Sequence, residues 1–133
     1  MIYIDTGGFI ARYLSRDQYH RRAIEVWDSI RKQQYTCFTS SFVLDEVITL
    51  LGRRAGHAFT AERAQNIYAS KRIKILRSGQ EEEMRALDWF KKFSDQKVSF
   101  TDCISFVLME KERIKKVFSF DIHFRLAGFT LAS

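Results

Sequence analysis

Short apolar segments alternate with longer stretches of helical periodicity along the whole chain, and this alternation most limits how it can fold. Read in order, the pattern predicts β-α-α-β-α-α-β-α-α-β-α-β. Strands separated by helices need crossover connections, which favour parallel pairing. The sequence therefore predicts an α/β fold, a three-layer sandwich with a central parallel sheet of four to five strands flanked by helices. The strand-like segments are 1–4, 35–39, 72–76, 117–120 and 129–131.

The composition is that of one folded domain spanning residues 1–133. Hydrophobic residues make up 46% and charged residues 29%, which excludes a disordered or collagen-like chain. No apolar run reaches the 18 or so residues of a membrane span, and the first residues lack the pattern of a signal peptide, so we expect a cytoplasmic protein. Cys37 and Cys103 belong to no metal-binding or redox motif and are expected to be reduced, packed thiols.

The charge balance favours a polyanionic partner. Lys and Arg number 22 against 16 Asp and Glu, a net charge of +6, which raises the expectation of a nucleic-acid ligand. Tyr13 and Phe124 either stack on bases or pack in the core, and the sequence leaves both open. Phosphate contacts and a merely solvated basic face are equally open for Arg12, Arg16, Arg53, Arg54, Lys71, Arg72 and Lys74.

Four acidic residues occupy positions from which they can converge. Asp5 follows the first strand, Glu46 lies on the helix after the second, Asp102 begins the helix before the fourth, and Asp121 follows the fourth. The carboxyl ends of parallel strands meet at one edge of the sheet, where α/β proteins bind ligands. Converging carboxylates repel one another and need a compensating cation, for which Mg²⁺ or Mn²⁺ suits an all-oxygen site.

Glu46 is the most informative of the four. Phe42 and Leu50 each lie about 40° from it on a helical wheel, so this acid stands in the middle of an apolar stripe. Its neighbour Asp45 points to the polar side and is expected at the surface. A functional acid is the favoured interpretation of Glu46, and a buried acid paired with an Arg or Lys is the alternative.

The other three acids have structural alternatives. Asp5 can cap a helix or form an Asx turn, and Asp121 can do the same before the residues that follow it. Asp102 can complete a capping box with Ser99. Taken one at a time, these alternatives are at least as good as a functional role. The shared position at strand exits favours function, because independent caps have no reason to face one another.

An ordered set of short motifs resembles the PIN-domain ribonucleases. The match is collinear over nearly the whole chain, and the length is that of the small VapC-like toxins of this family. The motifs, in order, are Met1-Ile-Tyr-Ile-Asp5-Thr6, Arg16-Asp17-Gln18-Tyr19-His20 ahead of an amphipathic helix, Leu44-Asp45-Glu46-Val47, Ser99-Phe-Thr-Asp102 and Phe118-Ser119-Phe120-Asp121-Ile-His-Phe124.

The resemblance implies a site and a reaction. It assigns the metal site to Asp5, Glu46, Asp102 and Asp121, places the hydroxyl of Ser119 near it, and makes Thr6 a further polar contact. The implied activity is a Mg²⁺- or Mn²⁺-dependent endoribonuclease that hydrolyses RNA phosphodiester bonds.

Two departures from the family pattern stand out. Gly7-Gly8, which we expect to form a tight turn, replaces the small hydroxylated and apolar pair that is common after the first acid. His123 stands where a further acidic or basic residue often follows the fourth motif, so no fifth carboxylate is assigned.

The resemblance also implies protein partners, namely a homodimer and a small antitoxin whose peptide covers the groove. The helices carrying Ala11–Leu14 and Phe42–Leu51 are the expected docking surface. A catalytically silent PIN-like module that binds RNA or protein is the alternative function. A phosphatase is disfavoured, because Gly7 stands where the second Asp of a DxD motif would be.

Overall fold

The computed structural model describes residues 1–132 and has a five-stranded sheet at its centre. The spatial order of the strands is β3-β2-β1-β4-β5, and every neighbouring pair is parallel. The predicted α/β fold with a parallel central sheet is thereby confirmed. The strands are β1 (Ile2–Ile4), β2 (Cys37–Ser40), β3 (Ile73–Leu76), β4 (Lys116–Phe118) and β5 (Thr130–Leu131).

Helices connect all the strands in the predicted order. The helices are α1 (Thr6–Tyr13), α2 (His20–Lys32), α3 (Ser41–Ala55), α4 (His57–Ala69), α5 (Gln80–Lys92), α6 (Phe100–Lys111) and α7 (His123–Leu126).

The first strand is the middle of the sheet. All three of its residues are buried, as expected for a strand covered on both faces by helices. Tyr3 is in register with Phe38 on one side, and Ile4 is in register with Phe118 on the other. The chain therefore leaves β1 at Asp5, in the centre of the carboxyl edge.

The glycine pair does not form the expected turn, because both residues lie within the first turns of α1. A Cβ on Gly8 would lie 3.1 Å from Ile4 Cγ2 and from Phe118 Cδ2, so this position is fixed by close contact between helix and sheet. The indole Nε1 of Trp27 donates a 3.0 Å hydrogen bond to the Gly8 carbonyl and ties α2 to the same point. Glycine here permits close packing rather than chain reversal.

The third helix begins at a cap and buries its apolar side. The Ser40 hydroxyl accepts a 3.0 Å hydrogen bond from the Val43 N–H and thereby caps the helix. Most apolar residues of α1 and α3 are buried in the core, whereas Phe42 and Leu50 of α3 are half-buried, so docking of an antitoxin peptide on these helices stays a prediction. The buried ones are Phe9, Ile10, Ala11, Val43, Leu44, Val47 and Leu51, together with Leu14 directly after α1.

Several other expectations are changed by the fold. Phe124 is fully buried, with its ring 5.0 Å from that of Phe106, so its availability for base stacking is ruled out. Lys71 and Arg72 precede β3 and lie at the amino edge of the sheet, opposite the strand exits.

Between residues 1 and 132, no helix combines the length and hydropathy of a transmembrane segment. Both cysteines are buried and free, as expected of packed thiols.

Candidate active site

An open cavity of about 400 Å³ lies at the carboxyl edge of the sheet. All six residues proposed from the sequence as site residues line it, although they come from four separate parts of the chain. Its lining consists of Asp5, Thr6, Gly7, Glu46, Leu50, Lys97, Ser99, Asp102, Ser119, Phe120 and Asp121.

Asp5 is held at the junction of β1 and α1 and is only 5% exposed. Its backbone N–H donates to the Phe118 carbonyl at 3.0 Å, and its Oδ2 accepts a 2.8 Å hydrogen bond from the Ser119 hydroxyl. Its Oδ1 is buried without a hydrogen-bond partner. Burial, followed by the nearby Asp102 carboxylate, raises the pKa of Asp5 to about 8. The protein therefore does not fully stabilise the ionised carboxylate of Asp5, and a bound cation would do so.

Asp102 caps the first turn of α6 and also lines the cavity. Ser99 and Asp102 form a reciprocal capping box, with the Asp102 N–H 3.0 Å from Ser99 Oγ and the Ser99 N–H 3.2 Å from Asp102 Oδ2. The side chain is 6% exposed. Burial raises the pKa of Asp102 to about 6, with smaller contributions from Asp121 and Glu46 and opposition from the Ser99 hydrogen bonds. The capping box uses Oδ2 of Asp102, so the same side chain can cap α6 and offer its other oxygen to a ligand in the cavity.

Ser119 links two of the acids. Its hydroxyl donates to Asp5 and accepts a 3.0 Å hydrogen bond from the Asp121 N–H, so the positions of both residues depend on it. Asp121 Oδ1 accepts a 2.8 Å hydrogen bond from the His123 N–H. The His123 Nδ1 lies 2.6 Å from the same oxygen, at ion-pair distance but without the geometry of a hydrogen bond.

The donor set fits a hard divalent cation. One ligand atom from each of Asp102, Asp121 and His123 lies within 4.8 Å of the other two. Asp5 and Glu46 line the same cavity outside this closest group. The hydroxyl of Thr6, like Oδ1 of Asp5, is buried without a partner. Oxygen donors that lack protein partners, in a cavity open to water, match the preference of Mg²⁺ or Mn²⁺ for oxygen ligands and retained waters.

Lys97 and His123 extend the site beyond the proposed set. Lys97 is exposed in the segment between α5 and α6, and it is the one basic residue in the cavity lining of the described chain. Sequence reasoning overlooked it, because it lies in a connecting segment without periodicity. His123, which departs from the family pattern, has its ring against Asp121.

Comparisons with known proteins agree with this geometry. Residues 2–129 match the PIN domain family. The chain is 33% identical over 129 residues to the 23S rRNA-specific endonuclease VapC20 of Mycobacterium tuberculosis, covering 97% of this chain and 95% of that protein.

Solved structures give the same result. The crystal structure of Mycobacterium tuberculosis VapC20, described as a sarcin-ricin loop cleaving toxin, superposes with a TM-score of 0.89 at 31% identity and covers 98% of this chain and 97% of that one. A toxin-antitoxin complex from Klebsiella pneumoniae shares the fold, with a TM-score of 0.66 at 14% identity over 100% of this chain and 97% of that one. With its parallel sheet and its acids gathered at the strand exits, the chain belongs to the PIN domain family.

Proposed function

We propose that this protein is a divalent-metal-dependent endoribonuclease whose active site is the carboxylate cavity. The observation that carries the proposal is the pair of buried carboxyls, Asp5 and Asp102, that line one cavity and whose pKa values are raised by burial and by neighbouring carboxylates. The relative VapC20, named as a 23S rRNA-specific endonuclease, supports the nuclease activity. An RNA phosphodiester is therefore the proposed substrate.

The metal would be held by Asp5, Glu46, Asp102 and Asp121, and Mg²⁺ or Mn²⁺ is the proposed ion. When bound, such an ion polarises the phosphodiester and lowers the pKa of a coordinated water. Ser119 keeps one oxygen of Asp5 engaged and leaves the other free of protein partners for a ligand. The hydroxyl of Thr6, also unpartnered, is available to a water or a phosphate oxygen.

Lys97 is the proposed phosphate contact of the site. Four carboxylates in one cavity repel a polyanion, so RNA needs a positive group beside them. Lys97 lines the cavity and is exposed, so it can meet a phosphate without prior desolvation. Such contacts position the backbone and carry no sequence information.

The proposed biological role is that of the toxin in a toxin-antitoxin pair. VapC20 is described as a toxin and a structure of similar fold is a toxin-antitoxin complex, which supports an antitoxin protein as a partner. We also propose a homodimer, to be tested by light scattering on the purified protein. Ribosomal RNA, the substrate class of the relative, agrees with the cytoplasm as the proposed location.

The test is an RNA cleavage assay on ribosomal RNA with Mg²⁺, with Mn²⁺ and with EDTA. We expect cleavage with either metal, none in EDTA, and losses of at least a hundredfold in Asp5→Asn and Asp102→Asn. Asp45→Asn is the matched control, because Asp45 is an exposed acid on α3 beside Glu46. Cleavage that persists in EDTA, or full activity in either site variant, contradicts the proposal.

A further inference from the structure

Two aromatic rings form a parallel stack at the rim of the carboxylate cavity. The rings of Tyr19 and Phe120 are 4.3 Å apart between centroids, with an angle of 7° between their planes. Phe120 lines the cavity and lies in sequence between Ser119 and Asp121. Tyr19 is 43% exposed. The stack therefore begins at the cavity wall and ends in solvent.

Both rings are fixed in place by the fold. The ring of Phe118 meets Phe120 edge-on at 5.5 Å, and Phe120 Cδ2 also lies close to Gly7. The Tyr19 N–H donates a 2.8 Å hydrogen bond to Asp17 Oδ1, and the Tyr19 carbonyl accepts one from the Ala23 N–H at the start of α2. The backbone of Tyr19 is thus anchored and its ring is stacked on Phe120, so it loses little conformational freedom when a ligand binds.

The exposure of Tyr19 is not explained by core packing. Tyr19 stacks on Phe120 and yet stays 43% exposed, so its side chain is not enclosed by the core. The two aromatic residues that the sequence offered for base stacking are less suitable. Phe124 is fully buried, and the ring of Tyr13 lies beneath the guanidinium of Arg12 at 5.3 Å.

We infer that Tyr19, supported by Phe120, is a stacking subsite for a nucleobase of single-stranded RNA next to the phosphate at the carboxylate cavity. The inference rests on the proposed function, because it takes RNA as the ligand. Every base has a flat face, so aromatic stacking binds bases with little sequence preference. A nucleobase is favoured over an apolar peptide because the open surface is a single flat ring beside a site for phosphate, on a chain of net charge +6.

The test measures RNA binding in EDTA, so that affinity is obtained whether or not the protein cleaves RNA. The probes are a fluorescein-labelled single-stranded RNA 12-mer of mixed sequence and the same backbone with abasic residues, followed by fluorescence anisotropy. We expect Tyr19→Ala to weaken binding of the 12-mer about tenfold while leaving the abasic probe unaffected. Tyr19→Trp should retain the affinity, and Tyr19→Leu, which keeps apolar bulk without a ring, should lose it.

Tyr68→Ala is the matched control, since Tyr68 is an exposed tyrosine on α4 (51%) that does not line the cavity. Unchanged affinity in Tyr19→Ala and Tyr19→Leu overturns the inference. Equal losses for the two probes also overturn it, and so does a wild-type protein that binds both probes equally. If the expected differences in binding are found but the protein cleaves no RNA, the stacking subsite is supported and the proposed function is contradicted.

Discussion

The hydroxyl of Ser119 donates a 2.8 Å hydrogen bond to Oδ2 of Asp5, although the two residues are 114 positions apart. The bond follows from the parallel pairing of β1 and β4, which also brings the Asp5 N–H to the Phe118 carbonyl. It opposes the effect of burial by lowering the pKa of Asp5. The register of the sheet therefore determines the electrostatics of the cavity.

Replacing Ser119 by Ala should weaken metal binding. The change leaves Oδ2 of Asp5 without its donor, raises the pKa of Asp5 further, and removes the acceptor of the Asp121 N–H. We expect a loss of about 1–2 kcal/mol in the free energy of unfolding and a reduced affinity for Mn²⁺. Denaturant titration and isothermal calorimetry measure these quantities. Ser119→Thr keeps the hydroxyl and should behave as wild type, and equal losses in both variants would argue against the hydrogen bond.

Asp5→Asn should stabilise the metal-free protein at alkaline pH. The unfolded chain loses this proton near the ordinary pKa of 3.8, whereas the folded chain holds it to about 8. The contribution of Asp5 to the free energy of unfolding is therefore complete below its pKa in the unfolded chain, and it is lost as the pH rises through its pKa in the folded chain. Asn still accepts from Ser119 and carries no charge, so we expect a gain of about 1–3 kcal/mol at pH 8 in EDTA. Urea titrations at pH 5 and pH 8 measure it, and an equal gain in the exposed control Asp45→Asn would contradict the prediction.

Metal binding should release protons near neutral pH. Asp5 and Asp102, with pKa values of about 8 and 6, bind the ion only in their ionised forms. The affinity for Mn²⁺ should therefore rise between pH 6 and pH 8. Calorimetry at pH 7 in buffers of different ionisation enthalpy counts the protons released. We expect fewer in Asp5→Asn, and binding that is independent of pH and buffer would rule out these carboxyls as ligands.

Lys97→Ala should reduce kcat/KM for RNA about tenfold and make the dependence of affinity on salt less steep, as expected for one lost phosphate contact. Lys97→Arg should retain most of the activity. Lys71→Ala is the matched control, because Lys71 lies at the opposite edge of the sheet. A salt titration of RNA binding gives the slopes, and identical slopes for wild type and Lys97→Ala would exclude the contact.

Gly8→Ala should destabilise the protein, whereas Gly7→Ala should not. Alanine normally stabilises a helix relative to glycine by about 1 kcal/mol. At position 8 its Cβ would lie 3.1 Å from atoms of Ile4 and Phe118, while at position 7 the nearest atom, in Phe120, is 3.5 Å away. We expect a loss of about 1–3 kcal/mol at position 8 and a small gain at position 7, measured by thermal unfolding. The same sign for both variants would contradict the packing interpretation.

The periodicity of the chain was sufficient to predict the order of elements and the parallel sheet. Buried strands such as Ile2–Ile4 are continuous apolar runs, and Ser40 is a strong cap, so local chemistry and fold agree at these places. The four acids could also be placed at one edge of the sheet from the sequence, because the carboxyl ends of parallel strands all lie at that edge. Their roles as ligands stay a proposal.

Features that depend on distant contacts could not be predicted in this way. A Gly-Gly pair is compatible with a turn and with close helix packing, and only the position of Phe118 distinguishes the two at Gly8. Lys97 lies in a connecting segment without periodicity, so nothing local indicates that it faces the cavity. The stack of Tyr19 on Phe120 joins residues about a hundred positions apart, and no short motif signals it.

The central place of β1 has a consequence for how activity arises as the chain folds. The carboxylates come from residues 5, 46, 102 and 121, and they meet only when β1 is paired with β2 on one side and β4 on the other. A partly folded chain that lacks either pairing holds an incomplete set of ligands. If the carboxylates are the proposed metal ligands, assembly of the sheet is also what completes the active site, so a chain that lacks either pairing would not cleave RNA.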